Sequence, residues 1–213
     1  MMSASRTDTG VHARGQVVCF RTYSRLPPRT IIGALNYYLP DDVAVQAAYR
    51  VDADFNVRGD VISREYEYRI LNSRIRSPLN EKLVHQVAGR LNIQKMNKVS
   101  RLLEGKHDFA SFASALGAMK STVRTVYEAK WSRKGNVITF KIIANSFLPH
   151  QVRNTVGLMI KVGLGNIDSN GFSEIMDTKK KGLAGPAAPP CGLYLVKVNY
   201  PFDLELKYEN VRN

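Results

Sequence analysis

The run Ser5-Arg6-Thr7-Asp8-Thr9-Gly10-Val11-His12-Ala13 sets a carboxylate between two small polar residues, beside an arginine and just ahead of a glycine. The apolar Val17-Val18-Cys19-Phe20 follows closely. If these flanks pack, Asp8 is not a plain surface charge, because a carboxylate near apolar packing has to be paired or hydrogen-bonded. Arg6 and the turn at Gly10 are its natural partners in the sequence. The same residues also suit an Asx-type turn leading into a strand, and local pattern alone leaves both readings open.

Working outward, residues 16–20 read as a short buried strand, and Thr30, after Pro27-Pro28, as the N-cap of a helix. Ile31, Leu35, Tyr38 and Leu39 recur at helical spacing, and Pro40-Asp41-Asp42 stops the pattern. Val43, Val45 and Ala47 then alternate as a half-buried strand. This strand-helix-strand unit predicts an N-terminal α/β subdomain over residues 1–58, with a boundary near Gly59.

The remainder, residues 59–213, predicts a second α/β subdomain. Arg64, Tyr66, Tyr68 and Ile70 alternate with Glu65, Glu67 and Arg69, which reads as a strand with both tyrosines on one face. Met96 to Leu103 reads as a helix ended by Gly105. Trp131 and Val137 to Ile143 flank Arg133-Lys134-Gly135-Asn136, a hairpin signal. Val152, Val156, Met159 and Ile160 mark a longer helix, with Gly163 and Gly165 as candidate stops. Strands interleaved with helices and joined by a hairpin predict an α+β fold with a mixed sheet, not a doubly wound parallel one. No internal repeat is visible, and the Lys179-Lys180-Lys181 run is the one biased segment that stands out.

Composition narrows the function. At 213 residues and 44% hydrophobic, the chain is long enough to bury a sizeable core. Its net charge of +13 points to a polyanionic partner, nucleic acid first. Cys19 and Cys191 form no CxxC pair, so neither a disulfide framework nor a zinc site is expected, and a reducing compartment fits. No apolar run reaches membrane-spanning length and the first residues lack the order of a signal peptide, so we expect a soluble, cytoplasmic protein without membrane partners.

An enzyme that works on a base must first take it out of its stack, which calls for a pocket with a stacking ring and a charged anchor. The segment 63–69 offers tyrosines among basic residues, although strand aromatics packed on a helix explain Tyr66 and Tyr68 equally well. In Asn145-Ser146-Phe147-Leu148-Pro149-His150-Gln151-Val152-Arg153-Asn154, Arg153 falls in a first helical turn. A cation there opposes the helix dipole and so asks for a carboxylate or phosphate partner. His107-Asp108 suggests neither a metal site nor a triad, because no third ligand or nucleophile elbow accompanies it.

The nonapeptide around Asp8 resembles the Arg-Thr-Asp-Ala-Gly-Val-His-Ala signature of TruA-type tRNA pseudouridine synthases. The 145–154 segment resembles that family's Asn-x-Phe-Leu-x-His-x-Val-Arg-Asn motif, and the blocks at 105–112 and 186–195 match as well. The resemblance runs in order from Ser5 to about Tyr200. It implies the pseudouridine synthase fold, with a largely antiparallel mixed central sheet, flanking helices and two RRM-like or ferredoxin-like halves around an RNA-binding cleft.

It further implies that uridine is isomerised to pseudouridine in the tRNA anticodon stem-loop, at positions 38 to 40, by a homodimer that needs no cofactor and no metal. Asp8 then falls on the catalytic nucleophile, Tyr66 on the active-site tyrosine over the target base, and Arg153 on the arginine that lies against the aspartate. Arg6, Arg64, His12 and Leu193 become substrate-binding candidates, with Arg6 a second counter-ion for Asp8 and Leu193 an apolar wall or plain strand core. The runner-up is a non-catalytic RNA-binding or RNA-folding module using the same basic cleft, and a hydrolytic N-glycosylase is a third reading. Two departures from the family stand out. Residues 59–62 lack the usual Arg-Phe-Ser-Ala pattern, and members carry an earlier strand and helix. Residues 1–58 are therefore expected to be incomplete, with a sheet edge left open unless the Leu204 to Tyr208 tail or a partner subunit covers it.

Overall fold

The alternating segment 63–71 becomes the strand on which the rest is hung. The computed structural model describes residues 1–114, 121–180, 182–204 and 211–212. Its strands are β1 (Met2–Ser3), β2 (His12–Ala13), β3 (Val18–Cys19), β4 (Ala47–Ala48), β5 (Ser63–Leu71), β6 (His85–Gln86), β7 (Gly105–Asp108), β8 (Val123–Lys134), β9 (Val137–Ala144), β10 (Leu193–Asn199) and β11 (Val211–Arg212). Four helices occur among the described residues: α1 (Pro28–Tyr38), α2 (Ile93–Ser100), α3 (Gln151–Leu164) and α4 (Ser169–Thr178). None of them is long and apolar enough to cross a membrane.

The chain folds as two units, one of Arg6–Gln16 with Ser63–Asn199, the other of Met1–Ser5, Val17–Ile62 and Tyr200–Asn213. Each unit is built from more than one stretch of chain, with junctions at 5/6, 16/17, 62/63 and 199/200. The Asp8 segment, however, groups with the larger unit although it lies near the start of the chain.

In the larger unit the sheet order is β2-β10-β5-β9-β8-β7, with β6 also paired to β5. The β2–β10 and β5–β6 pairs are parallel and the others antiparallel, so the expected mixed α+β sheet is present. Period-two alternation divides its faces. Tyr66, Tyr68 and Ile70 are buried, and they stand opposite Ile142, Phe140 and Ile138 on β9. Trp131 stacks on Phe140 at 4.7 Å, and its indole N–H points to Met159 Sδ at 3.1 Å, which seats α3 on this face. Charged residues take the other face, where Arg69 pairs with Glu67 and Lys141 with Glu128 and Glu65.

The hairpin turns at Gly135, whose φ of +59° suits a residue without a Cβ. α2 starts at Ile93 because Asn92 accepts the Lys95 N–H, and a 3-10 turn carries the expected helix on to Leu103. α3 passes through Gly163 and ends at Gly165, which is left-handed.

The smaller unit corrects several sequence expectations. Residues 16–20 are not a buried strand: β3 is two residues long, pairs with β1, and leaves Val18 and Phe20 about half exposed (46% and 47%). So short a ladder brings no second layer to cover those side chains. α1 begins at Pro28 and not after a Thr30 cap, since proline at the first helical position presets φ and needs no N–H partner. Its fully buried residue is Ile32, while Leu35, Tyr37 and Tyr38 are exposed. The strand expected through Val43, Val45 and Ala47 shrinks to β4, which pairs with β11. Asn36 explains this, because its amide bonds both the N–H and the C=O of Val45 and removes them from any ladder. Elsewhere in this unit Phe55 packs against Tyr200 at 5.3 Å, and the Tyr200 hydroxyl donates to Val57 O at 2.7 Å. Residues 205–208 of the tail and Lys181 of the lysine run lie outside the described residues.

Candidate active site

Asp8 opens a tight turn in which the Val11 N–H donates to Asp8 O at 3.1 Å. Gly10 takes φ +81°, the left-handed value such a turn asks of its third residue, and a Cβ there would also press on Pro190. The turn leads directly into β2, which pairs in parallel with the start of β10. Strand pairing therefore carries the carboxylate to the place where residues 190–192 enter β10.

The N-terminus of α3 meets this turn. Arg153, at the third helical position, donates Nη1 to Asp8 Oδ2 at 2.7 Å and Nε to Ala188 O at 2.8 Å. His150 is the N-cap, with a left-handed φ of +61°, and its Nε2 lies 3.3 Å from the same Oδ2. The cation that opposed the helix dipole thus has its carboxylate partner. Asp8 is about one-third exposed (32%) and Arg153 is largely enclosed (13%).

A third segment straps onto the same helix. The Ala188 N–H donates to Arg153 O at 3.0 Å, and Gly157 lets the Pro186 carbonyl lie where a Cβ would be 2.5 Å away. Further along, the buried Tyr68 hydroxyl donates to Pro189 O at 2.8 Å. Burial pushes that hydroxyl well above the ordinary tyrosine range, so it remains a donor. Burial also pushes the Cys191 thiol up, partly opposed by nearby backbone N–H groups and by Arg153. Both cysteines are free thiols.

The other sequence candidates occupy varied settings. Tyr66 is buried, opposite Leu195 on β10, with its ring edge-on to Phe147 at 5.2 Å. Leu193 is buried opposite Tyr68, in keeping with either a pocket wall or strand core. Arg64 donates Nη1 to Asn145 O at 3.0 Å and so fixes the strand that leads to the α3 turn. His12 stacks on Tyr194 at 4.7 Å, with Nε2 2.8 Å from Lys82 O. Arg6 is exposed and makes no ion pair with Asp8, which among the described residues pairs with Arg153 and lies 3.3 Å from the His150 imidazole. Sequence proximity misleads here because the contacts of Asp8 are set by the fold, which brings Arg153 and His150 of a distant segment to its carboxylate.

Sequence reasoning did not single out His150 or the Ala188 carbonyl as site groups. His150 lay inside the 145–154 motif, but its left-handed backbone is set by the packed turn and has no mark in the residue type. Among the described residues, no group of three or more His, Cys, Asp or Glu side chains is placed to hold a metal ion.

A family model described as tRNA pseudouridine synthase matches residues 99–201, a span that includes Arg153 and Leu193. The chain is 40% identical over 203 residues to the tRNA pseudouridine synthase A of Methylacidiphilum infernorum, covering 95% of this chain and 80% of that one. Against the protein of the same name from Blochmanniella pennsylvanica, identity is 42% over 203 residues, with 95% and 78% covered. A Thermoanaerobacter protein of that name is 39% identical over 200 residues, covering 94% and 82%.

Proposed function

This chain belongs to the tRNA pseudouridine synthase family, enzymes that isomerise uridine to pseudouridine in tRNA, and on that premise we propose that Asp8 is its nucleophile, held by Arg153. The observation that carries this reading is the 2.7 Å contact between Arg153 Nη1 and Asp8 Oδ2 at a helix N-terminus, with the carboxylate one-third exposed. A guanidinium bonded to one carboxylate oxygen fixes the position of the group from which attack starts.

Attack at C1′ forms a bond from the Asp8 carboxylate to C1′ as the C1′–N1 bond breaks, and the electron pair leaves with the base. The base turns, C5 bonds to C1′, and the carboxylate departs. The C5 proton is lost as N1 gains one. Attack at C6 starts from the same carboxylate. Either route balances without an external oxidant or reductant. Tyr66 lies over the base in this reading, and His12, Arg6, Arg64 and Leu193 belong to the substrate-binding surface. The anticodon stem-loop as target, a homodimer as working unit, two RRM-like halves and a cytoplasmic location belong to the same reading, which the charge of +13 supports for a polyanionic substrate.

The test is turnover of tRNA tritiated at uridine C5. Wild type should release tritium to water without releasing free uracil, and Asp8→Asn should bind tRNA but release none. Substantial turnover by Asp8→Asn would overturn the assignment. Free uracil would mark a glycosylase, and tight binding without tritium release by wild type would mark an RNA-binding module.

A further inference from the structure

We propose that His150 is a positioning residue that, with Arg153, holds one oxygen of Asp8 so that the other, Oδ1, is the oxygen presented to the nucleotide. The inference rests on the assignment of Asp8 as nucleophile and adds how that nucleophile is aimed. Arg153 Nη1 at 2.7 Å and His150 Nε2 at 3.3 Å both converge on Oδ2. Among the described residues Oδ1 has no hydrogen-bond or ion-pair partner. A carboxylate held through one oxygen by a single donor can still swing about that contact. A second contact on the same oxygen, from the imidazole at the N-cap of the same helix, restricts that freedom.

The backbone at His150 is the second observation. A non-glycine residue at φ +61° is uncommon, and such conformations persist where the surroundings fix them, often at functional sites. Here the turn is fixed on both sides. The Gln151 side chain accepts the Leu148 N–H at 2.8 Å, the Gln151 N–H donates to Leu148 O at 3.1 Å, and Asn154 N–H donates to His150 O at 2.9 Å. Glycine would adopt this φ more readily than histidine. A purely structural reading of the position therefore finds no use for the imidazole, whereas a reading in which the ring orients Asp8 does.

His150→Gly tests this directly, since it suits the left-handed backbone and deletes only the ring. We expect kcat to fall by about 10- to 100-fold, the cost of a misoriented reacting group, with KM for tRNA within about twofold. The melting temperature should be unchanged or higher, and added imidazole should restore part of kcat. His150→Asn, which also tolerates this φ but has a shorter side chain, should show the same loss. Wild-type kcat in either variant would overturn the proposal. So would a loss that tracks a lowered melting temperature and does not respond to imidazole. If Asp8→Asn is inert while His150→Gly is normal, this inference fails and the nucleophile assignment stands; turnover by Asp8→Asn would remove both.

Discussion

Arg153 reaches across 145 residues of chain to donate Nη1 to Asp8 Oδ2, while its Nε is bonded to the carbonyl of Ala188. One guanidinium therefore ties together the turn that carries the carboxylate, the first turn of α3 and the loop that enters β10. Lysine, with a single point charge, could not reproduce both bonds in this geometry.

Arg153→Ala should lower both turnover and stability. A first-turn arginine opposed to the helix dipole would contribute little by itself. This one is mostly enclosed, and its loss strips hydrogen bonds from a carboxylate and a carbonyl, a cost of about 1–3 kcal/mol. Arg153→Lys should recover much of the stability and little of kcat. Parallel denaturant melts and tritium-release rates check both, and a lysine variant with wild-type kcat would contradict the two-bond role.

Tyr66→Phe should keep the fold, because the ring still meets Phe147 and the strand register is untouched. Its kcat should fall while tRNA affinity holds. Tyr66→Ala should also cost about 3–5 kcal/mol of stability, as a large aromatic is deleted from a buried position. If the phenylalanine variant turns over normally, the hydroxyl has no part in the reaction and Tyr66 is a packing residue.

Gly192→Ala should loosen the loop beside the carboxylate. Its Cβ would stand 2.7 Å from Tyr68 Cζ and 2.8 Å from Arg69 O, and neither can yield, since the ring is fully buried and the carbonyl is strand backbone. Overpacking of this kind costs about 1–3 kcal/mol, or about 2–10 °C of melting temperature in a chain of this size. Displacing Tyr68 would also weaken its bond to Pro189 O, so kcat should fall with Tm. An unchanged melting curve would show that the loop moves freely off the ring.

Cys191 should be slow to alkylate near neutral pH. Burial pushes its thiol up, so the reactive thiolate is scarce at pH 7, and the labelling rate should climb as pH rises past the ordinary cysteine range. Its neighbour Pro190 rests against Gly10 of the Asp8 turn, so turnover should decline in step with modification. Mass spectrometry of iodoacetamide-treated enzyme across pH 7 to 10, read beside activity, checks both. Fast labelling at pH 7, or full activity after complete labelling, would contradict this account.

Much of the larger unit was legible beforehand because its residues carry short-range signals that survive packing. The alternation through Tyr66, Tyr68 and Ile70, the glycine at the 135 turn and the apolar spacing of α3 each follow from one local period or one φ requirement. The smaller unit is less legible in the sequence for a related reason. Its strands are two residues long, and a side chain, Asn36, takes the backbone bonds that a strand through Val45 would have used.

The site divides the same way. Asp8 and Arg153 stood out from residue type and setting, a carboxylate at a glycine turn and a cation where a helix dipole disfavours one. Their resemblance to a family's motifs added the chemistry. That Arg153 and not Arg6 is the partner of Asp8, that His150 shares the same oxygen, and that the Ala188 carbonyl holds the other end of the guanidinium were decided only by tertiary structure. These contacts join segments far apart in the chain, and their geometry depends on which strand lies beside β10 and on a backbone φ that histidine does not favour. Residue order states which groups are available; the packed sheet and helix decide which of them meet.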